Sequence, residues 1–120
     1  MPALDTVGDY LIEGRRLLQD EVAPYRYPDT DMVDALNLAV LEVRRLRADL
    51  YLGANFVVPF FPSTGTIDKA AKVPLDPMYR TALVYYVVGR MQLRDDEATT
   101  DSRASALLAK FVQQMLSVQS

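Results

Sequence analysis

Cysteine and histidine are both absent from these 120 residues. Without cysteine there is no disulfide framework, no thiolate metal site and no thiol nucleophile. Without histidine, the commonest general base at neutral pH and the commonest metal ligand are gone as well. Any chemistry falls to carboxylates, Lys, Tyr, Ser and Thr. A basic surplus is also missing. Thirteen Lys and Arg face 16 Asp and Glu, a formal net charge of −3, whereas a nucleic-acid reader usually carries a basic patch or stripe. The longest apolar runs, 56–61 and 81–88, fall far short of a membrane span. The first residues show neither the charged nor the apolar segment that opens a secretion signal. A soluble protein made in a cytoplasm is therefore expected.

Half of the residues are hydrophobic, enough for a core within one domain, 1–120, without covalent staples. Apolar residues recur at helical spacing in four stretches, which predicts helices at about 6–22, 30–51, 77–94 and 99–118. Asp5 or Thr6 caps the first, and Val7, Tyr10, Leu11, Leu17, Leu18 and Val22 form its stripe. Pro24 ends it. Asp29, Thr30 or Asp31 caps the second, which stops near Gly53. Its main row is Val33, Leu36, Val40, Val43 and Leu50. A second row of Leu38, Leu41 and Leu46 widens the face, as in a helix buried on two sides or meeting a neighbour. The third opens on Asp76 as N-cap with Pro77 in the first turn, where its missing N–H costs nothing. Its face is Tyr79, Leu83, Tyr86, Val87 and Met91, with Val84 and Val88 beside it. Ala104, Leu107, Leu108, Phe111, Met115 and Val118 stripe the fourth. Between the second and third lies an insertion, 54–75, with two prolines in its first arm (Pro59 and Pro62), a Ser63-Thr64-Gly65 turn and 66–73 as a return arm. The expected fold is thus all-α: a four-helix bundle-like domain with an extended or β-hairpin insertion.

The chain carries no Gly-rich phosphate loop, no serine nucleophile elbow and no Glu-x-x-His metal motif. The carboxylate pairs Asp29 with Asp31 and Asp95 with Asp96 fall where a helix cap and a turn are wanted, not in a dry cleft. An enzyme is not expected, nor a cofactor or metal. Glu42 is expected to pair with Arg45 or Arg26. Arg44, Arg45 and Arg47 at the end of the second helix read either as a phosphate grip or as cations favoured by the helix dipole. Asn37, mid-helix beside Leu36 and Val40, needs a partner. That partner is either the 25–28 turn or a neighbouring subunit. Strand alternation would put Phe56, Val58 and Phe60 on one side of the insertion and Val57 and Phe61 on the other. One side covers the core, and the other marks a partner surface if left open.

The stretch Arg26, Tyr27, Pro28, Asp29, with Met32-Val33, Leu36-Asn37 and Glu42-Val43 after it, resembles the head-to-tail adaptor (connector) proteins of tailed bacteriophages. Leu17-Leu18-Gln19-Asp20 before it is similar to that family, as are Pro74-Leu75-Asp76-Pro77-Met78-Tyr79 and the following Ala82-Leu83-Val84 and Tyr86-Val87. The middle, 54–73, is shorter and less strand-like than is usual there. The resemblance implies a structural virion protein of the neck: a ring, commonly of twelve copies, between the portal and a stopper or tail protein. Such a ring extends the DNA channel, lets double-stranded DNA pass without reading it, and needs no cofactor and no membrane. An acidic balance suits passage, because a basic lining would hold phosphates. The contact residues expected on this basis are Phe56, Phe60, Phe61 and Ile67, with Arg44, Arg45 and Arg47. The rival reading is a small helical DNA-binding or toxin–antitoxin type regulator. It suffers from Asp29, Asp31 and Asp34, which would repel phosphate at the start of the second helix.

Overall fold

A computed structural model describes residues 4–22, 27–55, 57–75, 77–93 and 98–116. The fold is all-α. Helices α1 (Val7–Leu18), α2 (Asp29–Leu46), α3 (Arg80–Leu93) and α4 (Ala98–Leu116) are joined by 3-10 turns at Ala48–Ala54 and Pro77–Tyr79.

Helix α1 opens on Thr6, whose hydroxyl accepts from the Asp9 N–H at 3.3 Å while the Asp9 carboxylate accepts from the Thr6 N–H at 3.1 Å. This reciprocal cap satisfies donors that the first turn cannot pair internally. The other early donors go to the insertion. Val7 N–H donates to the Ala71 carbonyl and Gly8 N–H to the Lys69 carbonyl, both at 2.9 Å. Glycine suits position 8 because a Cβ there would lie 3.1 Å from that Lys69 oxygen. The helix ends at Leu18, earlier than the pattern predicts. Gln19 takes a left-handed conformation, φ 57°, and Val22 points into solvent, 82% exposed. Polar bonding around Asp20 overrides the apolar period there.

Helix α2 buries Met32, Val33, Leu36, Ala39, Val40 and Val43. Its N-cap position is Pro28 without a side-chain bond, so none of the three expected acidic or hydroxyl caps holds that place. It ends at Leu46, short of the expected 51, because Arg47 leaves helical geometry at φ −140°, ψ 68°. Asp76, the expected cap of the third helix, lies outside the described residues. Pro77 belongs to the 3-10 turn that precedes α3.

Helices α3 and α4 run antiparallel: Gly89 faces Ala104 and Leu108, Lys110 lies 5.0 Å from the Tyr85 ring, and Tyr86 meets Phe111 edge-on at 4.9 Å. The face expected on α3 is realised, with Leu83, Val84, Val87, Val88 and Met91 all buried. On α4, Ala104, Phe111 and Met115 are buried, while Val118 lies outside the described residues.

The insertion forms no β-hairpin among the described residues. One isolated antiparallel bridge, Thr6 with Lys72, is its strand-like contact. The expected return arm pairs with the start of α1 instead of with 57–62. The unpaired N–H groups of a helix start attract its carbonyls more strongly than the neighbouring arm can, because Pro59 and Pro62 offer no N–H.

Candidate interaction face

Three side chains fix the surroundings of the face. Arg15 of α1 is buried, with 6% of its surface exposed. Its Nη1 donates to Asp20 Oδ2 at 2.8 Å and to the Tyr27 carbonyl at 2.8 Å, and its Nη2 donates to Asp29 Oδ1. Asp20 Oδ2 also accepts the Tyr27 N–H at 3.1 Å. The end of α1 is thereby locked to the start of α2. Burial by itself would raise the Asp29 pKa, but bonds from Arg15 and Lys69 outweigh it and hold the carboxyl below its ordinary value. Asp29 is therefore half of a structural lock, and Tyr27 its backbone partner. Arg15 did not stand out in the sequence, and Asp20 did so only as the end of the Leu17-Leu18-Gln19-Asp20 pattern. A cation in the last turn of one helix, with one acid just after that helix and another at the start of the next, was the only signal. Arg26 lies outside the described residues.

Asn37 is the second fixing point. Its Nδ2 donates to the Phe61 carbonyl at 2.9 Å and its Oδ1 accepts the Phe61 N–H at 2.8 Å. One side-chain amide thus imitates a strand partner for one backbone unit, and neither expected partner, the 25–28 turn or a second subunit, is what it bonds. Around this clamp the chain departs from strict alternation, since Val57 parts from Phe61 and Val58 from Phe60. Phe61 turns into the core, 6% exposed, while Phe60 and Val57 face water. Val58 and Ile67 pack partly against the core, and Phe56 lies outside the described residues.

Arg47 is the third. It pairs with Asp49 at 2.9 Å, donates to the Tyr79 hydroxyl at 3.1 Å and to the Met115 carbonyl at 2.8 Å. It ties the end of α2 to the end of α4 and is not one of an arginine trio offered to a ligand. Arg45 pairs with Glu42 at 2.7 Å, as expected. Arg44 is exposed on the same end of the helix.

Between these fixtures an apolar groove of about 400 Å³ stays open, lined by Asp34, Asn37, Leu38, Leu41, Val58, Pro59 and Phe60. A smaller hollow of about 150 Å³ adjoins it through Asp34 and Leu38 and reaches Arg90 and Met91 of α3. Leu38 and Leu41 are 39% and 41% exposed, and Phe60 is 75% exposed. The second apolar row of α2 is therefore open at these two leucines, with Leu46 alone packed partly against the core.

The polar side chains that line the groove are Asp34 and Asn37. No three acidic side chains converge among the described residues, and Asp95 and Asp96 lie outside them. A further hollow of about 310 Å³ over Gly8, Ile12 and Lys69 is lined by Arg15 and Asp29, and Asp29 is already paired with both Arg15 and Lys69. Burial pushes the phenols of Tyr10, Tyr51 and Tyr86 up, away from acid–base work near neutrality. Among the described residues no helix is long and apolar enough to cross a membrane. What these features define, among the described residues, is an all-α protein with an uncovered apolar groove between α2 and the insertion. No family model, curated protein or solved structure matches the chain.

Proposed function

We propose that this protein is a structural, non-enzymatic component of a tailed-phage neck: one copy of a ring between the portal and a stopper or tail protein, surrounding the DNA channel. The observation that carries the reading is the open groove of Leu38, Leu41, Val58, Pro59 and Phe60. Contiguous apolar surface left uncovered on a small domain marks a protein contact. The residue pattern of 26–43 and 74–87, similar to that of head-to-tail adaptors, supplies the kind of assembly. Twelve copies is the number the resemblance implies, and the virion neck the location. The contact surface proposed is Phe60 with Leu38 and Leu41, flanked by Arg44 and Arg45. Phe61 is buried, Ile67 packs partly against the core and Arg47 is bonded to Asp49, Tyr79 and the Met115 carbonyl, so none of the three is included in it.

The test mixes the purified chain with the portal protein of the same phage and images the product by electron microscopy. A ring added beneath the portal is expected, lost with Phe60→Asp. Failure of the two proteins to associate would overturn the reading. So would tight binding of duplex DNA with a steep salt dependence, since that is the signature of phosphate contacts and belongs to the regulator.

A further inference from the structure

The open face of α2 has an order that a general sticky surface would not need. Asp31, Asp34, Leu38, Leu41 and Arg45 follow one another at alternating steps of three and four. Such steps average 3.5 residues and lay side chains along one seam of a helix, the pattern by which two helices pack. The core of the protein uses other positions, Val33, Leu36, Val40 and Val43 among them. Asp34, Leu38, Leu41 and Arg45 are all exposed. The seam is thus an apolar centre with an acid toward the helix start and a base toward its end.

We propose that the free chain pairs with a second copy of itself through antiparallel α2 helices, Leu38 against the partner's Leu41 and Asp34 against the partner's Arg45. The midpoint between Leu38 and Leu41 along the helix is also the midpoint between Asp34 and Arg45. One two-fold axis therefore makes both kinds of contact twice, as an isologous interface requires. A parallel pair would set acid on acid and base on base. Like charges across an interface suppress an arrangement and opposite charges fix its register. The bonds from Arg45 to Glu42 use Nε and Nη2, and Nη1 takes no part in them. The two-fold axis also keeps both insertions on the same edge of the helix pair. Phe60, which lines the groove with the leucines, then closes over them from each copy.

Three helical turns and two phenylalanines bury an area at the low end of specific interfaces, so the pair forms and dissociates with concentration. It goes beyond the ring reading and does not rest on it. A ring of more than two copies closes through head-to-tail contacts, so the two-fold pair is a state of the unassembled chain that covers the same leucines.

Sedimentation velocity over a concentration series tests the pair with the purified chain alone. The wild type is expected to pass from monomer to dimer as concentration rises. Asp34→Arg and Arg45→Asp should each move that transition to at least about tenfold higher concentration, the effect of losing one modest charge contact per half-interface. An equal mixture of the two variants restores both charge pairs across the seam and should dimerise like the wild type. So should the chain carrying both substitutions. These positions are exposed, so folding is checked by circular dichroism before comparison. A wild type that stays monomeric to its solubility limit would overturn the proposal. So would a mixture that associates no better than either variant alone.

Discussion

Arg15→Ala is expected to destabilise the protein by about 3–5 kcal/mol at neutral pH, the usual loss when one member of a buried ion pair is removed. Asp20 is 8% exposed and would keep a buried charge whose guanidinium has gone. The Tyr27 carbonyl would lose a donor at the same stroke, and Asp29 would retain only Lys69. A domain of ordinary stability has about 5–15 kcal/mol in total, so the variant stands near the edge of folding. Urea denaturation at several pH values checks this in two ways. The folded Asp29 pKa is depressed, with burial opposing the shift and Arg15 and Lys69 producing it. Stability from a depressed carboxyl is fully present above its unfolded pKa, about 3.9, and is lost as pH falls through the folded value. The wild type should therefore lose stability on acidification, and the gap between it and Arg15→Ala should narrow below pH ~4. A gap that stays constant from neutral to acid pH would show that the lock contributes through packing alone.

Asn37→Ala has the second largest expected effect, about 2–4 kcal/mol. It leaves the N–H and the carbonyl of Phe61 unpaired next to the core, and each unsatisfied buried group costs about 1–3 kcal/mol. The loss should be local before it is global. Phe61 anchors the insertion, so hydrogen exchange at the Phe61 amide and its neighbours should quicken more than exchange in α3. Asn37→Asp is the sharper comparison, since it keeps an acceptor for the Phe61 N–H but sets a carboxylate against the Phe61 carbonyl. It should be at least as destabilising as alanine at neutral pH and should recover as the carboxyl protonates. If both variants unfold at the wild-type urea midpoint with unchanged exchange, the amide clamp is not what holds the insertion.

Helices and core were legible in the sequence because their causes are local. Thr6 with Asp9 three residues on is a cap that can be read directly, and the recurrence of Leu83, Val87 and Met91 fixes a face whatever surrounds it. The insertion was not legible, because its partners are distant. The amide of Asn37 reaches a backbone unit 24 residues later, and 69–73 answer the unpaired donors at the start of α1. Alternation rules presuppose a strand, so they separated Phe60 from Phe61 correctly but wrongly grouped Val58 with Phe60 and Val57 with Phe61. The arginines misled for a related reason. Arg44, Arg45 and Arg47 look alike in sequence, yet Arg47 is the one whose donors are taken by Asp49, Tyr79 and the end of α4. Leu38 and Leu41 read as a second row either buried or meeting a neighbour, because period reveals that a helix has two apolar sides, not which side its own chain covers.

The protein has no cysteine, which allows the open face to be probed with a single introduced thiol. Thiol labelling follows exposure of the thiolate. The decisive measurement is the labelling rate of Phe60→Cys, free at low concentration and then in complex with the portal proposed as its partner, with Val22→Cys, at an exposed position beyond the end of α1, as the control. The expected result is fast labelling at both positions in the free chain and strong protection at 60 alone in the assembly. Equal rates at 60 with and without the assembly, in a complex shown to have formed, would mean that the groove of Leu38, Leu41 and Phe60 is not where this protein meets its neighbours.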